Sequence, residues 1–151
     1  QFQITGDYGL VELILSNPRA YKLMANDEAP PLSEFRAGPG TYTPVICRSE
    51  DGMLVGLFLL VKQEPEVAQV HFCFVPGARW KMIPAGKEFI DWVWRETETR
   101  MLLGACPSYN RVAHRVAKAC GFKLGWTENR PWQLKDGKPF SLIVTAIRRP
   151  D

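Results

Sequence analysis

Apolar residues recur along this chain with two different spacings, and the spacings divide it into helices and strands. Leu10, Leu13 and Ile14 make one short helical stripe, and Tyr21 and Met24 make a second. Asn17 is placed to cap the second helix, with Pro18 in its first turn. Residues 29–40 hold Pro30, Pro31, Gly38, Pro39 and Gly40, which predicts a loop long enough to act as a lid or a substrate wall. Three β-rich runs follow at Tyr42–Arg48, Met53–Lys62 and Val67–Val75. Turn residues at Ser49–Gly52 and Gln63–Glu66 separate them, so the three predict an antiparallel meander. In the stretch Pro84–Thr99, Phe89, Trp92, Val93 and Glu96 fall at i, i+3, i+4 and i+7, which predicts a helix with aromatic bulk on one side. Trp92 belongs to that stripe and Trp94 lies off it. A strand at Met101–Cys106, a helix at Asn110–Cys120 ended by Gly121, and strands at Phe122–Thr127 and Phe140–Arg148 complete the pattern. Asp136-Gly137 falls in the last connection.

The order is helices, a three-strand meander, helix, strand, helix and two strands. It predicts one α/β (α+β) domain over residues 1–151, with a mixed and mostly antiparallel sheet flanked by helices. The helix between Val67–Val75 and Met101–Cys106 is a crossover of a length that suits a parallel pair. Where two such strands splay apart, a ligand can enter between their ends.

Composition narrows the classes. A hydrophobic share of 46% and a charged share of 23% exclude disordered, collagenous and coiled-coil chains. No apolar run reaches the roughly 18 residues of a membrane span, and Gly56 interrupts the longest. No basic stretch followed by an apolar core marks a secretory leader, although a start at Gln1 rather than Met points to residues before it. The net charge of +3 fits an anionic ligand without calling for nucleic acid. Cys47, Cys73, Cys106 and Cys120 form no CxxC pair, and only two histidines accompany them. That spacing predicts reduced, mostly buried thiols in a cytoplasmic compartment and no metal site.

One segment carries a specific likeness. Asn110-Arg-Val-Ala-His-Arg-Val-Ala-Lys-Ala-Cys-Gly-Phe122 closely resembles the last conserved helix of GNAT acetyltransferases, in which an Asn opens the helix and Gly-Phe closes it. The Arg-Val-Ala core looks most like the branch that acetylates ribosomal proteins and protein N-termini. Gly125 sits where those enzymes often carry a glycine, and Pro76-Gly-Ala-Arg79 resembles the Pro-x-x-Arg before the family's pyrophosphate loop. The resemblance implies a GNAT-like fold with a splayed parallel strand pair. It also implies acetyl-CoA as cofactor and direct transfer of the acetyl group to an amine.

It further implies a set of site residues. The backbone of Phe72, Cys73, Phe74 and Val75 would align the pantetheine arm, with an N–H there polarising the thioester carbonyl. Arg79, Trp80, Lys81 and Ala85 would stand at the pyrophosphate and Asn110 on the cofactor arm. Arg111, Arg115 and Lys118 make a basic face at i, i+4 and i+7, which is either a solvated helix face or a contact for the 3′-phosphate of CoA, an acidic partner or nucleic acid. His71 and Glu66 are the candidate bases on and just before the third meander strand.

The sequence departs from the family's pattern in two places. Where the family carries Arg-Gly-x-Gly-x-Gly/Ala, this chain reads Arg79-Trp80-Lys81-Met82-Ile83-Pro84-Ala85, and Pro84 also removes a backbone donor. The family's Tyr or Ser proton donor on the last helix is replaced by Ala113 or Ala117. Two functions therefore stand. One is an acetyl-CoA-dependent N-acetyltransferase acting on an amine. The other is a non-catalytic GNAT-fold virion protein of a tailed phage, with other virion proteins as partners, in which Trp126 and Trp132 would offer a contact surface.

Overall fold

The computed structural model describes residues 1–151, which form one seven-stranded sheet with helices on both faces. In chain order the strands are β1 (Phe2–Ile4), β2 (Tyr42–Arg48), β3 (Leu54–Glu64), β4 (Val67–Phe74), β5 (Met101–Pro107), β6 (Lys123–Lys135) and β7 (Lys138–Arg148). The helices are α1 (Tyr8–Leu15), α2 (Pro18–Met24), α3 (Met82–Glu96) and α4 (Arg111–Ala119). Across the sheet the strands run β1-β2-β3-β4-β5-β7-β6, and every neighbouring pair is antiparallel except β4 with β5.

The meander and the crossover lie where the apolar spacing puts them, and the mixed sheet with its single parallel pair has the predicted class. Three details differ. β1 is too short to show a period; Phe2 holds it by packing on Phe58, Phe89 and Trp92. α3 begins at Met82, so Pro84 is the third residue of its first turn, where no intrahelical donor is required. β6 continues past Thr127 through Asn129-Arg130-Pro131. That tripeptide reads as a breaker, but β6 is an edge strand and a bulge between Arg130 and Leu134 takes up the proline.

The two faces of the sheet bury separate clusters. On one, Phe58, Phe74 and Leu102 meet Phe89, Ile90 and Val93 of α3 and Val116 of α4, with the Phe58 and Phe89 rings stacked at 4.0 Å. Trp94 joins this core rather than lying off it, because it continues the α3 flank of Gly86 and Ile90. Gly86 lets the two helices meet: a Cβ there would stand 2.7 Å from Cys120 Sγ. On the other face, Val11, Ile14 and Leu15 of α1 cover Ile46, Leu57 and Cys73. α2 buries none of its residues and stands beyond the sheet as a wall, capped by the Asn17 side chain on the Ala20 N–H.

The β6–β7 hairpin closes on Asp136-Gly137, both at positive φ (52° and 74°), as a two-residue turn matched to strand twist requires. The turn is tied to the segment after α2. The Asp27 carboxylate accepts the Asp136 and Gly137 N–H groups at 2.8 Å each, and the Asp27 N–H donates to Leu134 O. Lys135 Nζ donates to the carbonyls of Lys22 and Ala25, both at 2.6 Å.

Candidate functional site

β4 and β5 are paired only over Val67–Gln69 and Met101–Leu103, yet both strands run on, to Phe74 and Pro107. Beyond Gln69 they part, and a cavity of about 740 Å³ opens between them. It reaches both faces of the sheet. Phe74, Arg79, Met82, Asn110 and Ala113 line it on the α3–α4 side, and Tyr21, Met24, Phe35 and His71 on the α1–α2 side.

Antiparallel alternation fixes which backbone groups face this opening. The Val75 N–H donates to Val55 O at 3.0 Å, so the odd residues of β4 exchange their hydrogen bonds with β3. The even residues Phe72 and Phe74 therefore turn their N–H and C=O toward β5, which has already moved away. On β5, the bonds Arg149 N–H to Arg100 O and Ser108 N–H to Ser141 O assign the even residues to β7. Ala105 is left facing the opening. Two strands thus offer unpaired peptide groups to whatever lies between them, and buried peptide groups need such partners.

Of the four strand residues expected to align a cofactor arm, the geometry leaves Phe72 and Phe74 open and occupies Cys73 and Val75. Cys73 points to the other face, its thiol 3.6 Å from Ile14 O and pushed up to about 11 by burial. At the α3 entrance, Arg79 lines the cavity but Trp80 does not. Trp80 is 75% exposed, with Lys81 Nζ 4.9 Å above its ring. Ala85 is buried in the core and Arg115 is exposed on α4, and neither lines the cavity. Asn110 does line it, while its side-chain oxygen caps α4 on the Ala113 N–H at 3.2 Å.

The two candidate bases separate sharply. Glu66 does not line the cavity. It lies at the zipped end of the β4–β5 pair, in an exposed ion pair with Arg100 (3.2 Å), and its carbonyl accepts the Arg100 and Met101 N–H groups. Five residues of extended strand, roughly 16 Å, separate it from His71. His71 is in the cavity, on the opposite sheet face from Phe72, as strand alternation requires. Burial holds its imidazole below the ordinary 6.5, so the ring is neutral at neutral pH. Its Nε2 lies 3.0 Å from the Gln69 amide nitrogen, which can only donate, and Gln69 in turn touches Gln63 at 3.5 Å. A half-turn of the Gln69 amide presents its oxygen instead, so the same pair can hold a neutral or a protonated ring.

Sequence reasoning missed the lining residues Glu128 and Arg130, and gave Trp126 only as a contact surface. They share one face of β6, with Glu128 Oε1 3.4 Å from Arg130 Nη2. Their alternation was the available signal, hidden once the strand was ended at Thr127. His114 donates from Nε2 to Pro107 O at 3.0 Å, fixing the end of β5 beside the opening.

No family model matches the chain, and no curated protein matches it in sequence. Solved structures do match it in shape. The spermidine N-acetyltransferase of Vibrio cholerae, in complex with CoA and spermine, superposes with a TM-score of 0.77 at 11% identity, covering 98% of this chain and 94% of that one. A GNAT-family acetyltransferase from Bacillus anthracis gives a TM-score of 0.59 at 17% identity, over 72% of this chain and 66% of that one. The strand order, the parallel pair that separates and the flanking helices are thus those of the GNAT acyltransferase fold, and this chain has that fold.

Proposed function

We propose that this protein is an acetyl-CoA-dependent N-acetyltransferase that transfers its acyl group directly to an amine. The observation that carries the reading is the pair of open N–H groups of Phe72 and Phe74, set in a cavity that reaches both faces of the sheet. Fold alone does not fix function, so the site must bear the weight. The Phe72 and Phe74 peptides can take a pantetheine arm as an added strand, and an N–H aimed at the thioester oxygen stabilises the charge that develops there. Arg79 is the cation best placed for the cofactor's phosphates, and Asn110 flanks the arm.

The amine would arrive from the α1–α2 side. There His71 is the base, and Gln69 turns to hold the imidazolium once the proton has moved. Attack of the neutral amine on the thioester carbon breaks the carbon–sulfur bond. The amide leaves with the acetyl group, and the thiolate takes a proton from solvent, since Ala113 and Ala117 have none to give.

A second reading is a non-catalytic protein of this fold, such as a virion component. Its support is the missing donor at Pro84 and the two alanines at the thiolate. Acetyl-CoA binding separates the two. A ligand at 100 times its Kd raises stability by about 2.7 kcal/mol, so a clear rise in melting temperature with release of free CoA on adding an amine is expected. A flat response at millimolar acetyl-CoA rules out the transferase.

A further inference from the structure

Resting on the transferase reading, we infer that the acceptor is a small amine with a single positive charge on an aromatic or aliphatic body, and not a polyamine. The α1–α2 half of the cavity is walled by Leu15, Tyr21, Met24, Phe35 and Trp126. The Tyr21 and Phe35 rings lie 5.3 Å apart, and the Tyr21 hydroxyl is spent on Pro30 O, so this wall presents ring surface rather than hydrogen-bonding groups. Trp126 is half exposed on the facing strand, open to a ligand's apolar body or to cation–π contact with its ammonium.

Charge is scarce and balanced. Glu128 is the single carboxylate lining the cavity, and Arg130 stands 3.4 Å from it. The Arg130 Nε is buried without a partner. At the rim, Lys135 adds a second cation and takes the carbonyls of Lys22 and Ala25 that a ligand's ammonium would otherwise use. Asp27, between the lining residues Ala25 and Ala29, is engaged by the turn N–H groups of Asp136 and Gly137. A chain with several ammonium groups would meet one carboxylate that is already paired, two fixed cations and an apolar wall. Burying its further charges unpaired is costly. One ammonium can share Glu128 with Arg130 while its body covers Tyr21 and Trp126.

The test uses the full chain with 2-phenylethylamine and spermidine as probes. Calorimetry on the CoA-loaded protein measures binding, and thiol release measures transfer from acetyl-CoA. The expected result is that 2-phenylethylamine binds and is acetylated with a kcat/KM roughly tenfold or more above that of spermidine. Trp126→Ala should raise its KM several-fold with an unchanged melting temperature, because the side chain is half exposed. Spermidine equal to or better than 2-phenylethylamine overturns the inference. So does binding of acetyl-CoA with neither binding nor acetylation of 2-phenylethylamine, an outcome that leaves the cofactor reading standing. Failure of acetyl-CoA itself to bind overturns the transferase reading, and this inference with it.

Discussion

His71 shows how one residue's surroundings set its chemistry. Burial disfavours its charged form, and no carboxylate stands beside it to offset that cost. In the proposed transferase it would therefore be a base ready at neutral pH, provided Gln69 yields. The transfer rate should fall on the acid side with an apparent pKa below 6.5, and His71→Gln should remove that limb and lower kcat by about 100-fold or more. A pH profile of kcat/KM for both proteins checks this. The same shift acts on stability. The unfolded chain binds the proton more readily than the folded one, so the contribution of His71 is lost as pH falls below about 6.5. His71 was legible from the sequence because strand alternation alone places it opposite Phe72. That Glu66 lies away from the cavity was not legible, because the sequence does not say at which end two parallel strands part.

At the scale of elements, the entrance of α3 is where sequence and structure diverge most usefully. The run from Arg79 to Ala85 looks crowded when written out, with Trp80, Met82 and Pro84 where small residues are expected. Folded, a 3-10 turn at Arg79–Lys81 swings Trp80 into solvent and turns Arg79 and Met82 to the cavity. Trp80→Gly should therefore leave acetyl-CoA affinity within about twofold. Arg79→Ala should weaken it about tenfold or more, through loss of a charge-assisted contact worth at least 1.5 kcal/mol. Titration calorimetry of the two variants decides. A gain in affinity for Trp80→Gly would mean that the indole does obstruct the cofactor. The meander, the crossover and α4 were readable because their apolar periods are complete and their ends carry Asp-Gly, Asn and Gly signals. The far half of β6 was not, because an edge strand tolerates a proline and a bulge that an interior strand would refuse. With that half went Glu128 and Arg130, and so one wall of the cavity.

Across the whole molecule, the α1–α2 side of the cavity is closed by contacts distant in sequence. Asp27 after α2 holds the tip of a hairpin more than a hundred residues later. The two turn N–H groups keep its carboxyl below the ordinary 3.8, so this tie persists above that value and is lost as pH falls through the lowered one. Asp27→Ala should speed amide hydrogen exchange at Asp136 and Gly137 while leaving β2–β4 as protected as before. Exchange measured by NMR on the two proteins checks it. Equal protection at the tip would mean that the turn stands by its own φ preference and Lys135 alone.

The parting of β4 from β5 makes this sheet, in effect, two sheets hinged at three residue pairs, each with a raw inner margin. In the proposed transferase a thioester arm lying in the gap would serve as the missing rung, and the cofactor would then be a piece of architecture as well as a reagent.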